Sequence, residues 1–199
     1  MAAGARRAGI ATVLSLVVAA CGSMTPSDGS AGIDGSATPG FSSARPTIIP
    51  VPGHETYGFV PYWEMDESIA DHLATVELTT LALFSVTHQR DGSLDDTQNG
   101  WRRIDGPIGR AMIDGAKERG TRVELVYTSF GAAKNRQFYA DPDAQAAWIA
   151  VLVDIVKEHG FDGVNVDVEA LPPELVIDYG GFVGRLRTAL RVARPDAQV

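Results

Sequence analysis

Between residues 56 and 199 the sequence alternates short β-branched or aromatic runs with longer stretches of helical periodicity, and this limits the fold more than any other feature. TYGFVPYW (56–63), VELTTLALFSV (76–86), TRVELVYTSFG (121–131) and FDGVNVDVEA (161–170) read as strands. GPIGRAMIDGAKERG (106–120), DPDAQAAWIAVLVDIVKEHG (141–160) and PPELVIDYGGFVGRLRTALRVARP (172–195) read as helices. In the second of these, Asp141 suits the N-cap and Pro142 the first helical position. Trp148, Leu152, Ile155 and Val156 form its apolar stripe, and Gly160 ends it. In the third, Phe182, Leu186, Leu190 and Ala193 share one side. DAQV (196–199) offers the start of a fifth strand. Strand–helix alternation at this spacing predicts an α/β fold with a parallel sheet and right-handed crossovers.

The fourth strand conflicts with that fold unless its polar residues have work to do. Side chains alternate along a strand, so Val164, Val166 and Val168 take one face and Asn165, Asp167 and Glu169 the other. Parallel strands are usually buried on both faces. Burying an unpaired carboxylate costs several kcal/mol. One resolution is an antiparallel strand with one wet face. The other is a functional cluster at the C-terminal end of a parallel strand, where α/β active sites lie. The long flanking helices favour the second.

Composition narrows the partners. The 199 residues suffice for one domain with a sizeable core. Net charge is -8, and omitting residues 1–20, which hold Arg6 and Arg7 and no acid, leaves it more negative still. Such a surface repels nucleic acid and anionic lipid headgroups but not neutral sugars. The four histidines are scattered without metal-ligand spacing, so no metal or other cofactor is expected. DGSLDD (91–96) lacks the spacing of a calcium loop and reads as a turn.

The N-terminus reads as an export address. Arg6 and Arg7 precede an apolar run from Ile10 to Ala20, the pattern of a secretory signal peptide. The end of that run, VAAC, resembles a bacterial lipobox, which would make Cys21 a lipidated first residue anchored to the cell membrane and facing outward. A plain signal peptide with an incidental cysteine is the alternative. Residues 21–52, rich in Gly, Ser, Thr, Ala and Pro, read as a flexible tether. Residues 53–199 form the expected domain.

The string DGVNVDVE resembles the signature of glycoside hydrolase family 18, the chitinase-like enzymes. Asp162 and Gly163 match its start, Asp167 its last aspartate and Glu169 its acid. YGFVPYWE (57–64) is similar to the first barrel strand of a bacterial branch of that family. YTSFGA (127–132) resembles its third-strand S-x-G-G motif through Ser129 and Gly131, with Ala132 departing. The resemblance implies a (β/α)8 TIM barrel that cleaves β-1,4 links next to N-acetylglucosamine, in chitin oligomers or peptidoglycan, by substrate-assisted retaining hydrolysis. It gives Glu169 the role of general acid and then base, and Asp167 that of orienting the substrate acetamido group. Asn165 would hydrogen-bond Asp167, and Ser129 would join that network. Trp63 and Tyr57 are candidates to line a sugar subsite, with barrel packing as the alternative. Trp148 reads as core, and Trp101 falls in the loop after the second strand.

Two departures from the family pattern stand out. Position 165 is Asn where most of the family has Asp, and position 168 is Val where an aromatic residue is common. A full barrel takes about 250 residues, so about four strand–helix units are expected here, as in a fragment. A non-catalytic carbohydrate-binding relative and an unrelated solute-binding lipoprotein remain as alternative functions.

Overall fold

The computed structural model describes residues 54–199. The expected signal segment and the whole of the expected tether, Cys21 included, lie outside the described residues.

Four strands form one parallel sheet in the order of the sequence: β1 (Tyr57–Pro61), β2 (Thr80–Val86), β3 (Arg122–Phe130) and β4 (Gly163–Glu169). The wet antiparallel alternative for β4 is thereby removed. Helix α1 (Glu67–Leu73) follows β1, and α2 (Asn99–Asp105) and α3 (Pro107–Glu118) follow β2. Helices α4 (Ala132–Tyr139) and α5 (Pro142–His159) follow β3, and α6 (Val176–Ala193) follows β4. Among the described residues no helix is long and apolar enough to cross a membrane.

Local sequence sets the ends of these elements. The Asp141 carboxylate accepts the backbone N–H groups of Asp143 and Ala144, capping α5, and Gly160 closes it at φ 72°. In the DGSLDD turn the Asp91 carboxylate accepts both the backbone N–H and the hydroxyl of Ser93. Helices α1, α2 and α4 are too short for their period to show in the sequence. Trp101 therefore sits on a helix, not in a loop, with its ring 5.4 Å from that of His159.

The core lies between the sheet and the helices. Leu81, Leu83, Leu125, Tyr127 and Val164 meet Trp148, Leu152, Val156, Phe182, Leu186 and Leu190 there, all fully buried. Ala193 is exposed and falls outside the α6 stripe. His88, just past β2, is buried in the same core with its ring stacked on Phe138 at 4.0 Å.

The DG pair that opens β4 is architectural. The Asp162 carboxylate accepts the Val123 N–H at 2.8 Å and pairs with Arg194 just past α6. The chain then returns beside β4: Val164 N–H donates to Gln198 O and Gln198 N–H to Asp162 O. This is the fifth strand position expected of DAQV. A Cβ on Gly163 would lie 2.5 Å from Gln198 O, so only glycine admits that neighbour.

Candidate functional site

Strand register decides which side chains meet. Paired residues of parallel strands share a face, and Val126, Thr128 and Phe130 of β3 pair with Asn165, Asp167 and Glu169. The Val164, Val166 and Val168 face packs on the helices, so these residues occupy the opposite, inner face of the sheet. Asp167 and Glu169 stand two residues apart on it, about 6–7 Å by strand rise. Glu169 ends β4 and is exposed; Asp167 is half-buried. Among the described residues neither carboxylate takes part in a hydrogen bond or an ion pair. Two adjacent acids with free oxygens at the C-terminal edge of a parallel sheet can exchange a proton with a ligand and orient its N–H groups.

Asn165 does not bond to Asp167. Its amide donates across the inner face to the Tyr57 hydroxyl at 3.1 Å, and that hydroxyl donates to the Glu124 carboxylate at 2.6 Å. Glu124, almost fully buried, lies 4.0 Å from the Arg122 guanidinium. Burial, reinforced by Glu124, pushes the Tyr57 phenol well above its usual range, so it stays a donor. Tyr57 opens β1, so this chain lies at the base of the strands, and Tyr57 supports the floor instead of lining the mouth.

Ser129 is also absent from the inner face. It pairs with Val168 and shares its helix-facing side, where it is fully buried and donates to Asn135 Oδ1 at 2.7 Å. One residue of alternation separates it from the expected position. Thr128 faces Asp167 instead, with its hydroxyl 3.2 Å from that of Ser85. Gly131, at φ 101°, bends the chain from β3 into α4, and its amide donates to the Glu169 carbonyl at 3.3 Å. It supports Glu169 from behind.

Trp63, in the single helical turn after β1, is 60% exposed, which leaves its face open to a ligand. It meets Phe84 edge-on at 6.0 Å, and Phe84 stacks on Phe130 at 6.4 Å. These rings run along the sheet edge that carries Glu169. Asp162 and Gly163 lie at the opposite end of β4, in the structural roles described above.

Sequence reasoning missed Glu124 and Asn135. Glu124 sits in an apolar run, and only its even spacing from Val126 and Thr128 marks it as inward. Asn135 gives no periodic signal; a glycine followed by a short polar helix at a strand end was its one trace. Among the described residues no group of His, Cys, Asp and Glu side chains is placed to hold a metal ion.

No family model matches this sequence, and no curated protein matches it. Solved structures do resemble it. The spore cortex-lytic enzyme SleL of Bacillus cereus is 20% identical with a TM-score of 0.57, covering 71% of this chain and 34% of that one. A class V chitinase from Pseudomonas fluorescens is 20% identical with a TM-score of 0.54, covering 69% and 42%. The family 18 chitinase ChiB of Flavobacterium johnsoniae is 21% identical with a TM-score of 0.53, covering 69% and 43%. The chain thus spans well under half the length of each. At this identity the likeness concerns the fold: the chain has the architecture of part of a chitinase-like TIM barrel.

Proposed function

We propose that this chain carries the acid-bearing part of a glycoside hydrolase acting on N-acetylglucosamine-containing glycans. One observation supports this above the rest: Asp167 and Glu169 share the inner face at the C-terminal end of β4, with no hydrogen-bond or ion-pair partner for either carboxylate among the described residues. Glu169 donates its proton to the leaving glycosidic oxygen as the C1–O bond breaks. The substrate's own acetamido oxygen attacks C1 from the opposite side and forms an oxazolinium ion, so no protein nucleophile is required. Asp167 accepts the acetamido N–H and offsets the positive charge. Water then attacks C1 as the bond from C1 to the acetamido oxygen breaks, and gives its proton to Glu169, which re-forms the acetamido group and restores the original anomeric configuration. Trp63 offers a flat apolar face to a sugar ring.

Turnover of soluble N-acetylglucosamine oligomers and of peptidoglycan by the full chain tests this reading. Replacing Glu169 by Gln is expected to lower kcat by about 10²–10⁴-fold, the range for loss of a general acid. A Gln variant that retains turnover would remove Glu169 from the chemistry. Glycan binding without turnover by either protein would favour the non-catalytic carbohydrate-binding reading.

We also infer export and lipid anchoring through Cys21. Metabolic labelling with a palmitate analogue should mark the protein and fail in Cys21→Ser. Equal labelling of both would exclude the anchor.

A further inference from the structure

The end of β4 is held from outside the inner face. The Glu169 carbonyl accepts two donors, Gly131 N–H at 3.3 Å and Asn135 Nδ2 at 2.8 Å. Asn135 is fully buried in the first turn of α4, yet each end of its amide is matched. Ser129, also fully buried, donates to Asn135 Oδ1. The Glu169 carbonyl can only accept, so the NH₂ end of the amide must face it, and the Ser129 hydroxyl anchors the Oδ1 end in that setting. The next residue, Ala170, has φ 53°, a left-handed conformation that costs a non-glycine residue about 1–2 kcal/mol. The surroundings must therefore fix the Glu169–Ala170 peptide, and the Ser129–Asn135 pair is the part of them that grips it. Lys134, beside Asn135, bonds the Thr87 hydroxyl, which donates to Thr128 O. The first turn of α4 thus joins the C-terminal ends of β2, β3 and β4.

We propose that Asn135, oriented by Ser129, is a positioning residue that sets the reach of the Glu169 carboxyl by clamping its backbone carbonyl. This rests on the hydrolase reading above. A displaced acid still admits substrate but meets the glycosidic oxygen badly, so the clamp acts on turnover and not on binding.

The test measures kcat and KM of the full chain on a chromogenic N-acetylglucosamine disaccharide, for wild type, Glu169→Gln, Asn135→Ala and Ser129→Ala. Rates are expressed per folded molecule, with folding read by near-UV circular dichroism. Asn135→Ala should lower kcat about 10- to 100-fold while KM stays within about twofold. Ser129→Ala leaves the amide bonded to Glu169 but removes its second anchor, and should lower kcat about 3- to 10-fold, also at constant KM. It serves as the test if Asn135→Ala does not fold. Ser129→Thr keeps the hydroxyl and should recover most of that loss. If Glu169→Gln abolishes turnover but the Asn135 and Ser129 variants keep wild-type kcat, the clamp is refuted and the hydrolase reading stands. If the losses appear in KM, or only as a smaller folded fraction, the clamp is likewise refuted. If wild-type turnover does not depend on Glu169, both readings fall.

Discussion

Acid should destabilise this protein through His88. Its Nδ1–H donates to Gln89 O at 2.8 Å, which leaves the lone pair on Nε2. Among the described residues that nitrogen has no hydrogen-bond partner, and its ring is buried against aromatic rings with centroids at 4.0 Å (Phe138), 5.8 Å (Tyr127) and 5.9 Å (Trp148). A proton on Nε2 would bury an imidazolium with nothing to solvate it. Burial therefore lowers the pKa from 6.5 to about 4; the bond to Gln89 opposes the shift and the Lys134 charge adds to it. The folded value lies below the unfolded one. The stability tied to the neutral ring is thus complete above pH 6.5 and is lost as pH falls toward 4. At about 1.4 kcal/mol per pH unit across that interval, the loss amounts to about 3 kcal/mol. Urea unfolding of wild type and His88→Phe at pH 7 and pH 4 isolates it. Phenylalanine keeps the stack on Phe138 and cannot titrate, while the carboxylates shared by both proteins cancel in the difference. Between the two pH values the stability difference should move by about 3 kcal/mol in favour of the variant. Parallel pH dependences, within about 0.5 kcal/mol, would refute the assignment of this loss to His88.

Two substitutions probe the scaffold of the site. Asn165→Asp introduces the residue that the chitinase-like pattern favours, yet here it removes the donor to Tyr57, whose own proton is committed to Glu124. It should destabilise the fold by about 1–3 kcal/mol without raising turnover, measurable by thermal melting and a glycan assay; a more stable or faster variant would count against the Tyr57–Asn165 bond. Gly163→Ala places a Cβ against Gln198 O and should cost about 1–3 kcal/mol, with loss of hydrogen-exchange protection at the Gln198 amide. Unchanged protection would show that the strand return at Gln198 tolerates a side chain.

The long elements were legible because their signals are long. The α5 stripe from Trp148 to Val156 repeats over several turns, and β3 and β4 each carry enough residues to show their character. The polar face of β4 was legible for the same reason: three polar side chains at period two cannot all be accidental in a parallel strand. Short elements gave no such pattern, and α4 is the costly case, since it supplies Asn135. The Ser129 assignment failed by one residue of alternation. A motif match fixes position along the chain, whereas the pleat fixes the face, and only pairing with Val168 decides the latter. The carboxylate nearest to Asn165 in sequence is Asp167, but inward-facing residues of separate strands meet across the sheet, and its partner Tyr57 lies 108 residues away in the chain.

The sheet order β1-β2-β3-β4 follows the order of synthesis. Each strand therefore pairs with the one made immediately before it, and no strand has to be inserted between two already paired. Asn135 and Ser129 precede Glu169 in the chain, and both belong to the unit that β4 joins. The residues that form the socket for the Glu169 carbonyl are therefore synthesised before the residue that it holds.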